Sequence, residues 1–289
     1  ANQALFEELV KQIQIQGNAA GIAVAIVDEE GKTQYEQYFG YRDTEQKLPM
    51  DENTIFGLAS VTKSFVALSI MQLAEKGLLD LNDPVSRYIP EFTNKNQETV
   101  RIHHFLSHSG GFYPVHRTVV KEIAEKLGIS EETEGDLGYS VKLAEAGAKA
   151  VAEQLDAQTP GHGLIGRPGE YMSYCNDGFG LLSDIVRRHS GYGSFAEYLD
   201  KKILKPIGMD RSNISFIRNS QDENAAILYS LENGTWRADR DYQNDAFVLH
   251  GGGGMKSTLG DMLKYAVMYL NEGVAGNGNR IVERYAVQE

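Results

Sequence analysis

The stretch FGLASVTKSFVALSIMQLAEKG, residues 56–77, constrains this chain more than any other. From residue 60 its apolar positions cover nearly every face of a helix, and a helix that is hydrophobic all round belongs in an interior. Gly77 reads as its C-terminal cap. Yet Ser60 and Lys63 stand at its start, three positions apart and so on one face. The rest of the chain has to fold around a buried helix that carries a hydroxyl beside an amine.

Two readings of that pair compete. A serine hydroxyl is a weak nucleophile until a neighbouring base takes its proton. Lysine can be that base when it is kept partly neutral, and burial and the positive end of the helix dipole both push it that way. In the other reading Ser60 caps the helix and Lys63 snorkels to water. A Ser-x-x-Lys pair arises about once by chance in a chain of this length, so spacing alone decides nothing. Phe65, Val66, Leu68, Ile70 and Met71 leave a lysine one turn earlier little solvated room, which favours the chemical reading.

A second signal stands in RPGEYMSYCNDGFGLLSDIVRRHSG, residues 167–191, where Tyr174-Cys175-Asn176 sits in a turn-rich stretch just ahead of a helix. A phenol can relay protons to and from a serine, and an amide can hold a substrate carbonyl. Another Tyr-x-Asn, Tyr242-Gln243-Asn244, lacks the preceding Pro-Gly turn and the following helix, and reads as surface loop.

Around these motifs the pattern is mixed. Leu5, Phe6, Leu9, Val10 and Ile13 recur at helical spacing over 3–16. GIAVAIVD and TQYEQYFGYRD flank EEGK as an antiparallel hairpin, whose aromatic residues serve cross-strand packing. AAILYSL and TWRADR flank ENG as a second hairpin. Helices are expected near 118–127, 140–157, 177–190, 194–205 and 259–271, the last with Thr258 three residues before Asp261 as its cap. Residues 129–139 read as an exposed acidic loop, and Gly251 to Gly254 form a glycine run.

The 289 residues suit one large domain or two intimately packed ones. With 28 basic against 40 acidic residues, a net charge of -12 repels polyanions, so no nucleic acid partner is expected. The apolar run 65–74 falls short of the ~20 residues of a bilayer-spanning helix. Cys175 is the single cysteine, so no intramolecular disulfide can form, and it reads as a small buried filler. His104 and His108 are four apart, but SHSGG would break a metal-binding helix and no carboxylate follows in a zinc-protease pattern, so both are assigned to loop packing. GHGLIG (161–166) has neither strand before it nor helix after it, so it is no dinucleotide loop. No serine sits in the Gly-x-Ser-x-Gly elbow of α/β-hydrolases.

Three further segments join SVTK (60–63) and YCN (174–176): FLSHSGGF (105–112), ILKPIGMDRS (203–212) and GGGGMKSTLGDMLKY from Gly251. Together, from about residue 20 to 285, they resemble the serine β-lactamase and penicillin-binding-protein superfamily, in the branch of class C β-lactamases, D-amino-acid peptidases and related esterases. The resemblance implies an α+β, β-lactamase/transpeptidase-like fold, an antiparallel sheet flanked by helices plus a mostly helical region. It implies one catalytic domain over 1–289, with 1–50 and about 245–289 as the α/β part and about 51–244 as the helical part. By the same resemblance Ser60 is acylated, Lys63 accepts its proton, Tyr174 shuttles protons to the leaving group and Asn176 orients the substrate. The Ser60 amide supplies half of an oxyanion hole, on the order of 3 kcal/mol per donor. No metal or organic cofactor is implied.

One part of the family pattern does not follow. The third motif, Lys-Thr-Gly or His-x-Gly, belongs on a sheet strand facing the serine, well downstream of the glycine run. His250-Gly251-Gly252 matches the letters but stands in the lead-in, and Lys256-Ser257-Thr258 lacks the glycine and reads as a helix cap. The resemblance then implies a chain without the C-terminal sheet strands, completed by an additional C-terminal segment or a second polypeptide. The expected activity is a serine hydrolase acting on a small peptide, β-lactam or ester, with a peptidase or carboxypeptidase first. The alternative is a catalytically inactive peptide-binding or regulatory module. The start at Ala1 fits a mature product after signal-peptide removal or a trimmed expression form, which leaves the compartment open, an extracytoplasmic or secreted one coming first.

Overall fold

The computed structural model describes residues 2–114, 126, 128, 141–214, 221–239 and 250–289. The acidic loop 129–139 and Tyr242-Gln243-Asn244 lie outside the described residues, as does the helix expected over 118–127 apart from Lys126.

Helix α1 (Asn2–Gln16) leads into strands β1 (Gly21–Val27), β2 (Thr33–Asp43) and β3 (Leu48–Pro49), an antiparallel sheet in that order. The hairpin closes where Asp28 Oδ1 accepts the amides of Glu30 and Lys32 and Gly31 takes φ +81° against the Val267 side chain. Of the apolar stripe expected on α1, Val10 is buried and the Phe6 ring meets Tyr35 edge-on at 5.0 Å, while Leu5, Leu9 and Ile13 are exposed. Among the described residues β1 pairs with β2 alone, so its other edge carries no strand.

The core lies in the helical part. Strand β4 (Phe56–Gly57) hands the chain to α2 (Thr62–Glu75), whose Phe65, Val66, Ile70 and Leu73 are fully buried, as its all-round apolar pattern requires. Gly77 ends it at φ +70°, the Gly77 amide bonding Ala74 O and the Leu78 amide bonding Leu73 O, a Schellman motif. Helices α3 (Ile102–Leu106), α4 (Val141–Asp156) and α5 (Asn176–His189) add to this core.

The helix expected over 194–205 is not one regular α-helix. Ser194 caps α6 (Phe195–Leu199) by accepting from the Glu197 amide at 3.0 Å, but Asp200–Leu204 widens into a π turn before Pro206. Proline has no N–H to give and crowds the carbonyl four residues back. That carbonyl, Lys202 O, is taken by the Gln72 side chain at 3.2 Å.

Strands β5 (Leu228–Glu232) and β6 (Thr235–Asp239) form the second hairpin, with Asn233 at φ +50° and Gly234 at φ +78°, the left-handed pair of a type I′ turn. Strand β7 (Lys256–Ser257) pairs with β4, and Thr258 caps α7 (Leu259–Leu270) by accepting from the Asp261 amide, as the sequence predicts. No helix among the described residues is long and apolar enough to cross a membrane.

Candidate active site

Ser60 is held where β4 turns into α2. Gly57 pairs with Lys256, the Leu58 amide bonds Met255 O at 2.9 Å, and the Met255 amide returns to Thr62 Oγ1 at 3.0 Å. Between these clamps Ala59 adopts φ +46°, a left-handed conformation that costs an alanine energy and persists when its surroundings enforce it. Ala59–Val61 then makes a 3-10 turn, so Ser60 precedes the α-helix that was expected to begin with it. In that tighter turn positions three apart eclipse, which keeps Ser60 over Lys63.

The capping and snorkelling alternative does not survive. Neither the 3-10 turn nor α2 receives a side-chain cap from Ser60, and Lys63 is only 6% exposed. Lys63 Nζ instead donates to Ser60 Oγ at 3.1 Å and to the Gly252 carbonyl at 2.6 Å. It also stands 4.7 Å from the centre of the Tyr174 ring and 5.9 Å from that of Phe179.

Tyr174 comes from a strap that runs past the serine into α5, and its hydroxyl donates to Ser60 Oγ at 2.6 Å. Burial pushes the pKa of this phenol up, but hydrogen bonding to Lys63 and Ser60 and the Lys63 charge outweigh it, leaving Tyr174 below its ordinary value of 10. Ser60, Lys63 and Tyr174 thus converge on one oxygen. Asn176 opens α5 two residues on, and its buried Oδ1 has no hydrogen-bond partner among the described residues. Cys175 is buried filler as expected, with burial pushing its thiol up to about 12.

The third-motif letters lie elsewhere than on a strand facing the serine. His250–Gly252 forms a single 3-10 turn packed on α5, and Gly252 contributes a backbone carbonyl to Lys63. A side chain at Gly251 would overlap the Phe179 carbonyl, so this turn presses backbone against backbone. Lys256 and Ser257 do lie on a strand, but β7 has only these two residues, both buried, and pairs with β4.

His104 and His108 do not share a helix face, because α3 stops at Leu106 and His108 takes φ +54°. His104 Nδ1 accepts the Arg101 amide at 2.9 Å, and His108 Nδ1 accepts the Cys175 amide at 3.0 Å. The place of His108 under Tyr174 was missed in the sequence; the only trace is that FLSHSGGF and YCN both belong to the resemblance, 67 positions apart between His108 and Cys175.

Fold and site together define an α+β protein of the β-lactamase/transpeptidase-like kind. The chain belongs to the beta-lactamase family, whose model matches residues 4–288. It is 27% identical over 274 residues to penicillin-binding protein 4* of Bacillus subtilis, covering 91% of this chain and 54% of that protein. It is 36% identical over 230 residues to esterase EstB of Burkholderia gladioli, covering 78% of this chain and 53% of the esterase. The octameric penicillin-binding protein homologue from Pyrococcus abyssi superposes with a TM-score of 0.76 at 29% identity, over 100% of this chain and 59% of that one. The chain therefore spans about half the length of the curated relatives it matches.

Proposed function

We propose that this chain is a serine hydrolase that cleaves amide, peptide or ester bonds through an acyl-enzyme on Ser60. The observation that carries this reading is that Ser60 Oγ lies within hydrogen-bond reach of both the buried Lys63 amine (3.1 Å) and the Tyr174 hydroxyl (2.6 Å). A nucleophile with two proton-handling groups on its oxygen has the arrangement that activation requires. The lowered Tyr174 phenol supports a shared base, in which the Tyr174 phenolate, stabilised by the Lys63 charge, takes the Ser60 proton as Oγ attacks and becomes a phenol. Tyr174 then returns the proton to the leaving group, and water releases the acyl group by the reverse route. Asn176, whose buried oxygen has no partner among the described residues, is the substrate-orienting side chain of this reading; a substrate N–H would satisfy it.

The similarity to an esterase at 36% identity supports short acyl esters as first test substrates, beside D-amino-acid peptides and a fluorescent penicillin. Incubation with a fluorophosphonate followed by mass analysis tests the reading. A single adduct on Ser60, absent in Ser60→Ala, supports it. No adduct on folded protein overturns it in favour of an inactive peptide-binding module.

A further inference from the structure

Tyr174 is 41% exposed, and a phenol open to solvent on one side has to be held if it is to stay on the serine. Of the contacts that hold the strap that carries it, three come from one residue, His108. The Ser173 amide donates to His108 O at 2.7 Å, and the Cys175 amide donates to His108 Nδ1 at 3.0 Å. Between them the Tyr174 ring lies over the His108 ring, centroids 4.3 Å apart and planes tilted by 32°. Phe179 backs the imidazole from α5 at 5.1 Å, and Ser173 Oγ fastens the strap again to Phe112 O at 2.7 Å.

We propose that His108 is the positioning residue of this site: a neutral imidazole, carrying its proton on Nε2, that fixes residues 173–175 and seats the Tyr174 hydroxyl on Ser60. The role rests on the acyl-enzyme reading above, in which Tyr174 moves protons. An N–H donor at Nδ1 leaves that nitrogen its lone pair, so the ring proton of the neutral form must sit on the other nitrogen. Histidine suits the place because it combines an acceptor at the δ position, a flat face for the phenol and tolerance of φ +54°.

Protonation would undo the clamp, since an imidazolium has no acceptor for the Cys175 amide. Among the described residues, the ionisable groups placed against the ring are Lys63 from α2 and Tyr174 and Cys175 from the strap, and Asp177 follows Cys175 in the first turn of α5. Burial first, and the Lys63 charge second, hold His108 below its usual value of 6.5.

The test uses two variants and one spectrum. Asn at position 108 keeps an acceptor within reach of the Cys175 amide and tolerates the backbone, but has no ring face and no titration. Removing the whole clamp with His108→Ala is expected to lower kcat by about 100-fold with KM within about threefold, and His108→Asn to restore about a tenth of wild-type kcat. In wild type, log kcat/KM against pH should steepen by one further unit of slope below the His108 titration; in His108→Asn that extra slope should be gone. Ring nitrogen-15 spectra of the wild-type protein should show an unprotonated, hydrogen-bonded Nδ1 and an Nε2–H at neutral pH, whatever the activity. A wild-type kcat in His108→Ala, an unchanged acid slope in His108→Asn, or an Nδ1–H tautomer overturns the proposal. Should His108→Ala fail to fold, the spectrum and the Asn variant decide. Absence of a fluorophosphonate adduct in wild type refutes the acyl-enzyme reading instead, and the spectrum still reports on the clamp.

Discussion

The Lys63 amine lies 2.6 Å from the Gly252 carbonyl, closer than the 3.1 Å that separates it from Ser60 Oγ. The amine is thereby held by backbone, 189 positions away in the chain, and aimed at the serine by its own helix. A side chain fixed at two points loses little further freedom when it acts, which is the advantage of a preorganised site.

Lys63→Ala should abolish fluorophosphonate and substrate acylation of Ser60 while the protein stays folded. It leaves the Gly252 carbonyl without its donor, so a stability loss of about 1–3 kcal/mol should appear in urea melts. Lys63→Arg should also be inactive, because the wide guanidinium does not reproduce a compact ammonium on two oxygens. Hydrolysis at the parental rate by either variant would show that the amine has no part in the reaction.

Removing one oxygen with Tyr174→Phe keeps the ring on His108 and under Lys63. Turnover should fall by about 10²–10⁴, the usual range for a proton-transfer group, with KM and melting temperature near wild type. Steady-state kinetics on an acyl ester would read this, and an unchanged kcat would move the proton relay to another group.

Gly251→Ala places a methyl group against the Phe179 carbonyl and Ser183 Cβ, neither of which is a flexible tip. The turn that carries Gly252 must then shift, costing about 1–3 kcal/mol and drawing the carbonyl from Lys63. The expected result is a lower urea midpoint together with slower acylation. Gly77→Ala is the control: its Cβ meets nothing within 4 Å, so only the φ of +70° is strained. It should cost about 1–2 kcal/mol and leave kcat unchanged.

Two histidines give the fold an acid limit. Burial, and after it the charges of His103 and Arg101, hold His104 down at about 4, and His108 also lies below its ordinary value. The unfolded chain binds protons near pH 6.5 while the folded one does not, so their contribution is complete above that pH and is lost as pH falls toward the folded values. Urea midpoints should be level between about pH 7 and 8 and decline from about 6.5 to 4, and His104→Asn should shallow the decline. A midpoint that rises on acidification would contradict this.

Local structure was legible wherever its cause is local. The all-round apolar pattern of 60–76 marked the central buried helix, Gly77 its end and Thr258 the cap of α7, and Asn233-Gly234 named the tight turn of the second hairpin. The π turn before Pro206 was not, because it depends on Gln72 reaching the freed Lys202 carbonyl from another helix. Nor was the solvent exposure of Leu5, Leu9 and Ile13, since apolar spacing marks a stripe without saying what covers it.

The sequence by itself determined that Ser60 and Lys63 are neighbours, because three positions along a helical turn bring any two side chains together. By resemblance it also pointed to Tyr174 and Asn176 as candidates for the same site. Tertiary structure alone decided that Tyr174 reaches Ser60 across 114 positions, that Lys63 is anchored by a glycine carbonyl, and that a histidine assigned to loop packing carries the strap above it. Periodicity and turn chemistry act over a few residues and can be read along the chain, whereas a backbone carbonyl or a stacked ring gains its role only when packing brings distant segments within a few ångströms.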